Sequence, residues 1–390
     1  MSLNRKLRMA LIGGGPGAFI GDVHSKAARM DGKIELVAGA FSRDPAKSRA
    51  AGRLYLVDPQ RVYGSYEELI EKEKELSEEE RVDFVTITTP NHLHFPIAKA
   101  CLKAGFHVMC EKPMTLTAKE AKALRAVVRR SGLVFGLMHN YTGYPMVKLA
   151  RDIIRQGDLG ELRKVVVQYP QGWLTDPQEK SGSKQAGWRT DPARSGAAGA
   201  IGDIGTHAEN LSEYLTGLKI TELCADISTF VKGRRLDDDG NCLVHFEKGV
   251  KGLLHVSQIA NGEENGLAIW IYGSTKGLEW HQENPNYLSI KDYKGPVHIW
   301  RRGNPYIGEK SAAAGRASRL PFGHPEGFIE AFANVYVNFA DTLGARLAGE
   351  NADPLMLDFP TVDDGLRGML FIETVLDSAR RKTKWTKMHS

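Results

Sequence analysis

Lys112 stands where a charged side chain could act on a substrate oxygen. It follows residues 106–110, an apolar run that we predict to be a buried strand. An ammonium at the end of such a strand can stabilise the charge that develops on an alcohol oxygen, or act as an acid or base. A surface ion pair between Glu111 and Lys112 is the alternative interpretation.

A second group of this kind lies in residues 202–207, GDIGTH. We expect a helix over residues 203–215, in which Asp203 and His207, four residues apart, share one face. A carboxylate and an imidazole there could bind neighbouring hydroxyls of a polyol and move a proton. Two alternatives remain: a metal site, for which no third ligand is obvious nearby, or an N-cap aspartate with an unrelated histidine.

The glycine cluster of residues 13–18, GGGPGA, separates an apolar strand candidate from a helical segment over residues 19–30. Glycine lets the backbone approach a phosphate closely, and the first N–H groups of the following helix attract anions. Strand, glycine turn and helix therefore predict a dinucleotide pyrophosphate site. A tight turn without a ligand is the alternative. The G-x-G-x-x-G/A pattern is carried by Gly13, Gly15 and Ala18.

Residues 88–94, TTPNHLH, follow another strand candidate and supply a second cofactor signal. Ligands of parallel sheets bind at the carboxyl ends of the strands, which is where this segment falls. A helix start at Pro90 and Asn91 is equally consistent with the sequence and compatible with cofactor binding.

The elements that would position these groups alternate between strand and helix in the first third of the chain. Such alternation predicts a parallel sheet covered on both faces. Asp44 before Pro45, and Ser65 with Glu68, are expected N-caps. The strand candidates there are residues 7–12, 34–40, 82–88, 106–110 and 134–138.

The pattern changes after about residue 140. A helix over 144–156 and a strand over 162–169 precede a long loop, residues 170–201, rich in Gly, Ser, Asp and Pro. Short turns join the later strand candidates, which predicts an antiparallel sheet. The later candidates are strands 220–231, 241–246, 251–258, 267–272 and 277–280, followed by helices 326–347 and 361–380.

Composition limits the function classes. The 390 residues are 42% apolar and 25% charged with a net charge of +5, which predicts a soluble protein of two globular domains. We expect no nucleic-acid partner, no membrane span and no signal peptide. The four cysteines form no C-x-x-C pair, so we predict reduced thiols in a cytoplasmic protein and no metal cluster.

Four motifs, in this order and spacing, resemble the glucose–fructose oxidoreductase/inositol dehydrogenase (Gfo/Idh/MocA) family over nearly the whole chain. Segments 17–21 (GAFIG), 188–192 (WRTDP) and 324–328 (HPEGF) further resemble a branch acting on inositols, levoglucosan and related pyranosides. The four motifs are Gly13-x-Gly15-x-x-Ala18, Thr89-Pro90-Asn91-x-x-His94, Glu111-Lys112-Pro113 and Gly202-Asp203-x-Gly205-x-x-His207.

The resemblance implies an α/β chain. An N-terminal Rossmann NAD(P)-binding domain, residues 1–140, would precede a C-terminal α/β domain, residues 141–390, with a large, mostly antiparallel open sheet for substrate binding and oligomerisation. A homodimer or homotetramer is implied, as is a cis peptide between Lys112 and Pro113. The predicted cofactor-binding residues are Gly13, Gly15, Gly17, Ala18, Phe19, Ile20, Ser42, Arg43, Thr89, Pro90, Asn91, His94, Glu111 and Lys112.

The implied activity is reversible oxidation of a secondary alcohol by a nicotinamide cofactor. Lys112 would contact the reacting oxygen, His207 would be the general base, and Asp203 its partner or a substrate ligand. Glu111 and Asn91 would lie by the nicotinamide ribose. This function requires the ammonium of the first domain and the imidazole of the second to meet over the nicotinamide.

One departure from the family pattern concerns the cofactor. The acidic residue expected after the second strand, where it would hold the adenosine ribose of NAD, is absent, and Ser42 stands near its place. Ser42 and Arg43 could accept the 2′-phosphate of NADP, so we favour NADP over NAD as the cofactor. Stacking of Arg43 on the adenine, which suits either cofactor, is the alternative.

Aromatic and charged residues suggest a sugar site, since sugars combine apolar faces with many hydroxyls. Tyr141, Trp188 and Arg189 join Lys112, Asp203 and His207 as predicted substrate-binding residues, with ordinary packing at a domain junction as the alternative. Trp173, Asp191 and Tyr144 are further candidates. His24, His139 and His324 are also candidates, for which a structural role is the favoured interpretation.

The sequence therefore predicts a dehydrogenase for a cyclic polyol or pyranose sugar, using NAD or NADP without a metal. Two alternatives are a redox-neutral glycosidase that recycles its cofactor in place and a sugar-sensing regulator of the same fold. Retention of both Lys112 and His207 argues against the regulator.

Overall fold

The computed structural model describes residues 5–390, which form two compact units. The first unit comprises the described residues up to Thr115 together with Lys119–Asn140 and Phe328–Leu366. The second comprises Leu116–Ala118, Tyr141–Gly327 and Arg367–Ser390. The division at residue 140 thus differs from the structural units, because residues 328–366 return to the first unit.

Strands and helices are numbered along the chain. The strands are β1 (Leu7–Gly13), β2 (Ile34–Ala40), β3 (Phe84–Thr88), β4 (His107–Glu111), β5 (Phe135–Met138), β6 (Leu162–Pro170), β7 (Ile220–Ser228), β8 (Asp239–Phe246), β9 (Lys251–Ser257), β10 (Ala268–Gly273), β11 (Lys276–His281), β12 (Tyr287–Asp292), β13 (His298–Arg301) and β14 (Thr386–Lys387). The α-helices are α1 (Phe19–Arg29), α2 (Pro45–Tyr55), α3 (Tyr66–Glu75), α4 (His94–Lys103), α5 (Ala118–Ser131), α6 (Pro145–Arg155), α7 (Lys184–Arg189), α8 (Pro192–Ser195), α9 (Thr206–Thr216), α10 (Pro305–Lys310), α11 (Ala312–Arg316), α12 (Phe328–Leu347) and α13 (Val362–Arg380).

The sheet of the first unit is parallel, with the strand order β2-β1-β3-β4-β5. Its central strands β3 and β4 are buried along their whole length, as expected for a sheet covered on both faces. Since the strands are parallel, the segments after β1, β2, β3 and β4 emerge at one edge of the sheet. This edge collects the predicted cofactor residues.

Helix starts in this unit follow local sequence rules. The Asp44 carboxylate accepts hydrogen bonds from the N–H groups of Ala46 and Lys47, which confirms the predicted N-cap of α2. At α3, the Ser65 hydroxyl accepts from the N–H of Glu68 at 3.2 Å, while the Glu68 carboxylate accepts from Gly64 rather than from Ser65.

The returning helix α12 completes the core of the first unit. Its side chains Phe332, Tyr336 and Phe339 are buried in one apolar cluster with Met9 and Leu11 of β1. Burial of an aromatic side chain of this size stabilises a fold by roughly 1.5–3 kcal/mol. Helix α12 is therefore part of this core, although it lies almost two hundred residues after β5 in the sequence, roughly the size of a further domain.

The second unit is built on a nine-stranded sheet with the order β13-β12-β11-β10-β6-β9-β8-β7-β14. All of its neighbouring pairs are antiparallel except β6 and β9, which run parallel. The structure confirms the predicted fold class and adds strands β12, β13 and β14, which were not predicted.

The segment predicted as a long loop, residues 170–201, is not structureless. It contains a short 3-10 helix, Gln178–Lys180, and the helices α7 and α8, so that expectation was wrong. Ser183 and Asp191 cap α7 and α8 through their side chains, and Pro192 opens α8. These caps hold Trp188 and Arg189 on defined backbone.

Among the helices of residues 5–390, none combines the length and apolar composition needed to cross a lipid bilayer.

Candidate active site

The glycine turn after β1 brings three parts of the first unit into close contact. Gly13 has φ +96°, and a Cβ on it would lie 2.8 Å from the Thr88 hydroxyl. A Cβ on Gly15 would lie 2.9 Å from the carbonyl oxygen of Phe41. Side chains at these positions would separate β1 from β3 and the turn from the end of β2. The close packing of the chain therefore requires glycine at both of these positions of the predicted G-x-G-x-x-G/A pattern.

Gly21 is a glycine that the predicted pattern does not include. A Cβ built on it would lie 2.3 Å from the Cα of Gly14, so α1 sits directly on the turn. Gly17 has φ +76° with open space around it. Ala18 occupies the N-cap of α1 and has no polar side-chain atom, which leaves the first N–H groups of Phe19 and Ile20 to a ligand or solvent.

The β2–α2 connection carries Ser42 and Arg43. Arg43 is exposed, and the Ser42 hydroxyl accepts a hydrogen bond from the N–H of Asp44 at 3.2 Å. The Asp44 carboxylate is engaged in capping α2 and pairs with Lys47 at 3.8 Å. The one carboxylate in this short segment thus serves α2.

His94 ties the ends of β3 and β4 together. Its ring nitrogens each lie 2.8 Å from a backbone carbonyl oxygen, Nδ1 from Pro113 and Nε2 from Thr89. Burial lowers the pKa of His94, although the two carbonyl groups oppose the shift. His94 therefore fixes both predicted motifs relative to each other, and its predicted contact with a cofactor stays a prediction.

Lys112 follows β4, and its peptide bond to Pro113 is cis, as the resemblance implied. The N–H of Lys112 donates to Oε2 of Glu111 at 3.0 Å. Burial, followed by the charge of Lys112, lowers the pKa of His139 to about 3. His139 is thus a neutral neighbour of Lys112 and no candidate for the acid or base at neutral pH.

The first unit fits a bound dinucleotide. Besides the glycine turn and the α1 N-terminus, two buried polar atoms near the carboxyl ends of β3 and β5 have no hydrogen-bond partner among residues 5–390. They are Oγ1 of Thr89 and Nδ2 of Asn140. Buried polar atoms normally have partners, so unpaired ones beside a cofactor motif match a polar ligand.

In the second unit, the predicted helix over residues 203–215 begins with a π-helical turn, Ile201–Gly205, before α9. Such turns are frequent at functional sites. Oδ2 of Asp203 accepts hydrogen bonds from Gln258 at 2.9 Å and from Arg189 at 3.3 Å. Tyr169 packs beside the His207 ring. Burial raises the pKa of Tyr169, and so do the neighbouring Tyr141 and the charge of Asp203. Tyr169 is thus packed beside His207, and its pKa responds to the charge of Asp203.

Arg189 is held between aromatic rings. Its guanidinium lies 4.2 Å from the ring centroid of Trp188 and 5.9 Å from that of Trp173. Cation–π contacts and the ion pair with Asp203 fix its orientation. Asp191, by contrast, caps α8 and pairs with Arg235 at 2.9 Å, so the structure gives this candidate a structural role.

His207 packs against a network of tyrosines and amides. The Tyr141 ring meets it edge-on with 4.7 Å between centroids, and Tyr141 and Tyr169 share a short hydrogen bond between their hydroxyl groups. Tyr169 donates to Asn265 at 2.7 Å, and Asn265 donates to Gln282 at 3.1 Å. Tyr169, Asn265 and Gln258 were not predicted; only Tyr169, at the end of β6, and Gln258, directly after β9, had a position that could have indicated them.

The predicted catalytic residues divide between the units. Lys112 belongs to the first, and Asp203 and His207 belong to the second with Tyr141, Trp188 and Arg189. Across residues 5–390, no three His, Cys, Asp or Glu side chains cluster as a metal site would require. The cysteines Cys101, Cys110, Cys224 and Cys242 are unpaired by disulfides, and all but Cys224 are buried.

Fold and site define an oxidoreductase with a Rossmann-type domain, and comparison with known proteins agrees. Residues 7–139 match the oxidoreductase family with an NAD-binding Rossmann fold, and residues 147–279 match the GFO/IDH/MocA C-terminal domain. The chain belongs to the Gfo/Idh/MocA family of oxidoreductases.

Individual relatives resemble most or nearly all of the chain. The uncharacterized oxidoreductase YfiI of Bacillus subtilis is 34% identical, over 99% of this chain and 98% of its own. Levoglucosan dehydrogenase of Pseudarthrobacter phenanthrenivorans is 27% identical, over 77% of this chain and 83% of its own. The solved structure of an inositol dehydrogenase homolog of Azotobacter vinelandii with NAD+ is 36% identical and has a TM-score of 0.93. The match covers 99% of this chain and 98% of that one.

Proposed function

We propose that this oxidoreductase oxidises a secondary hydroxyl of a cyclic polyol or pyranose sugar to a ketone. The observation that carries the proposal is the ion pair of Asp203 with Arg189, together with the packing of His207 against Tyr141 and Tyr169. A carboxylate whose charge is balanced by Arg189 and that accepts a hydrogen bond from the Gln258 amide suits hydroxyl groups of an uncharged ring. The names of the relatives point to the same substrate class.

The residues would act as follows. The glycine turn, Thr89, Asn91 and Glu111 would hold NAD(P)+, which when bound accepts a hydride from the alcohol carbon. His207 would take the hydroxyl proton, and the Lys112 ammonium would stabilise the charge on the oxygen. Asp203 would orient His207 or accept a hydrogen bond from a neighbouring hydroxyl.

We further propose that the first unit binds the cofactor and that the second binds the substrate and forms a homodimer or homotetramer. Support for the oligomer comes from apolar side chains on outward-facing strand positions of the nine-stranded sheet. Leu243, Tyr272, Tyr287 and Ile299 are 48%, 43%, 45% and 57% exposed. Light scattering after size-exclusion chromatography measures the assembly, and a monomer at micromolar concentration would contradict it.

A substrate panel tests the function. Purified protein is incubated with NAD+ or NADP+ and with inositols, anhydrosugars, free sugars and glycosides, and the reduced cofactor is followed by absorbance. We expect steady formation of NADH or NADPH with at least one unmodified polyol. Glycoside cleavage without net cofactor reduction would favour a redox-neutral glycosidase, whereas ligand binding without turnover would favour a regulator.

A further inference from the structure

His24 lies at the centre of a buried hydrogen-bonded chain in the first unit. Its side chain has no exposed surface. Nε2 lies 2.7 Å from Oε1 of Glu111, and Nδ1 lies 2.6 Å from the hydroxyl of Tyr336. The Tyr336 hydroxyl lies 3.1 Å from that of Thr86. The chain of contacts ends at the carboxylate that precedes Lys112.

Each member comes from a different element. His24 is on α1, Thr86 on β3, Glu111 ends β4, and Tyr336 is on α12. The network therefore joins the helix that follows the glycine turn to the strand end that carries Lys112. Helix α12, which packs in this unit through its apolar side chains, also supplies the hydroxyl that completes the chain.

With Glu111 ionised and His24 neutral, the contacts fit one arrangement of protons. An ionised carboxylate only accepts, so Oε1 of Glu111 receives the Nε2–H of His24 while Oε2 receives the N–H of Lys112. Nδ1 of His24 then accepts from Tyr336, whose pKa burial raises, so that it remains a neutral donor. Thr86 donates to Tyr336 or to the sulfur of Met9, 3.2 Å away.

We propose that His24 and Tyr336 are positioning residues, which fix the Glu111 carboxylate and through it the backbone that carries Lys112. Two hydrogen bonds hold the carboxylate, one from His24 and one from the Lys112 backbone, so loss of the first frees it to rotate. The proposal rests on the proposed function, in which the Lys112 ammonium contacts the reacting oxygen. Small displacements of a catalytic group lower the rate strongly, about 100-fold for 1 Å.

The packing around His24 leaves it little freedom. The Phe332 ring meets the imidazole edge-on with 5.2 Å between centroids, and the Tyr336 ring does so at 5.7 Å. An apolar side chain of similar size could fill this space, so packing alone does not require an imidazole. The hydrogen bond to Glu111 is what distinguishes histidine here.

Steady-state kinetics of three variants test the proposal. His24→Met keeps the volume and removes both hydrogen bonds; His24→Gln retains an N–H that can reach Glu111; Tyr336→Phe removes one oxygen atom. We expect kcat at saturating NAD(P)+ to fall about 10- to 100-fold in His24→Met, with the KM for the polyol within about threefold. His24→Gln should recover most of kcat, and Tyr336→Phe should show an intermediate loss.

The outcomes separate the two proposals. If the wild type turns over a polyol and all three variants keep its kcat, the positioning role is wrong and the proposed function stands. The positioning role is also wrong if His24→Gln is as impaired as His24→Met, or if KM rises as much as kcat falls. If His24→Met does not fold, the comparison of Tyr336→Phe with wild type decides. If the wild type turns over no polyol, both proposals fail.

Discussion

Arg189 and Asp203 form an ion pair within the second unit, with Nε of Arg189 3.3 Å from Oδ2 of Asp203. Both side chains are largely shielded from solvent, with exposed fractions of 24% and 17%. Since their charges cancel, the pair can meet an uncharged ligand without leaving a net charge against it. Arg189 also keeps Asp203 in one orientation.

Arg189→Ala should therefore weaken substrate binding. We expect the KM for the polyol to rise about tenfold, equivalent to about 1.4 kcal/mol, because Asp203 loses its charged partner while the cofactor site is unchanged. Arg235→Ala is the matched control, since Arg235 pairs with Asp191 and is 67% exposed. Equal KM values in the two variants would show that Arg189 has no role in substrate binding.

Replacement of Gly21 by alanine should displace α1 from the glycine turn. Its Cβ would lie 2.3 Å from the Cα of Gly14, and overpacking of this kind costs typically about 1–3 kcal/mol. We expect a lower melting temperature and a cofactor Kd raised at least about tenfold, since the α1 N–H groups move.

Gly344→Ala provides the control for this prediction. Gly344 lies in α12 of the same unit, and a Cβ there meets no described atom within 4 Å. A gain of roughly 0.5–1 kcal/mol is expected for alanine at a helix interior. If Gly21→Ala binds cofactor as tightly as Gly344→Ala, the close approach of α1 is not needed for binding.

Much of this fold could be predicted because the buried strands of the first unit are continuous apolar runs. The structure places β2 at the predicted residues and β1 within one residue of them. Strands β12 and β13 were missed, because β13 is mostly exposed and half of β12 is polar or charged. The short helices α7 and α8 depend on single caps, which the loop-like composition concealed.

Only those residues of the site that belong to short sequence motifs could be predicted. Lys112, Asp203 and His207 stand in short recognisable segments, whereas His24 appeared structural because its partner Tyr336 is 312 residues away. Tyr169 and Asn265 lie 96 residues apart and meet only when the second sheet forms. Long-range side-chain contacts leave no signal in a single sequence.

Arg43→Ala should separate the two cofactors. An exposed guanidinium next to Ser42, with the nearby Asp44 carboxylate engaged in capping α2, suits a 2′-phosphate. We expect the Kd for NADP+ to rise about tenfold and that for NAD+ to change little, measured by titration of cofactor fluorescence. Arg53→Ala replaces an exposed arginine on α2 and should affect neither. Equal losses for both cofactors would indicate stacking on the adenine instead.

The pH dependence of stability should show a contribution from His107. Burial, followed by the charge of Arg346, lowers its pKa to about 4, while the unfolded ring titrates near 6.5. The unfolded state therefore binds the extra proton between these values, so stability is complete above about pH 6.5 and decreases as the pH falls towards 4, by up to about 3 kcal/mol.

His107→Asn tests this contribution, because asparagine can still accept the hydrogen bond that Nδ1 receives from the N–H of Val134 at 2.8 Å. Urea unfolding at several pH values should give a shallower decrease for the variant than for the wild type between pH 6.5 and 4. Identical slopes would mean that His107 titrates alike in the folded and unfolded states.

The central claim is that Lys112 and His207 act on the same substrate hydroxyl, and turnover by Lys112→Ala and His207→Ala tests it most directly. With a polyol that the wild type oxidises, we expect kcat to fall by at least about 100-fold in each variant, with the cofactor Kd largely unchanged. Near-normal turnover in either variant would contradict the assignment.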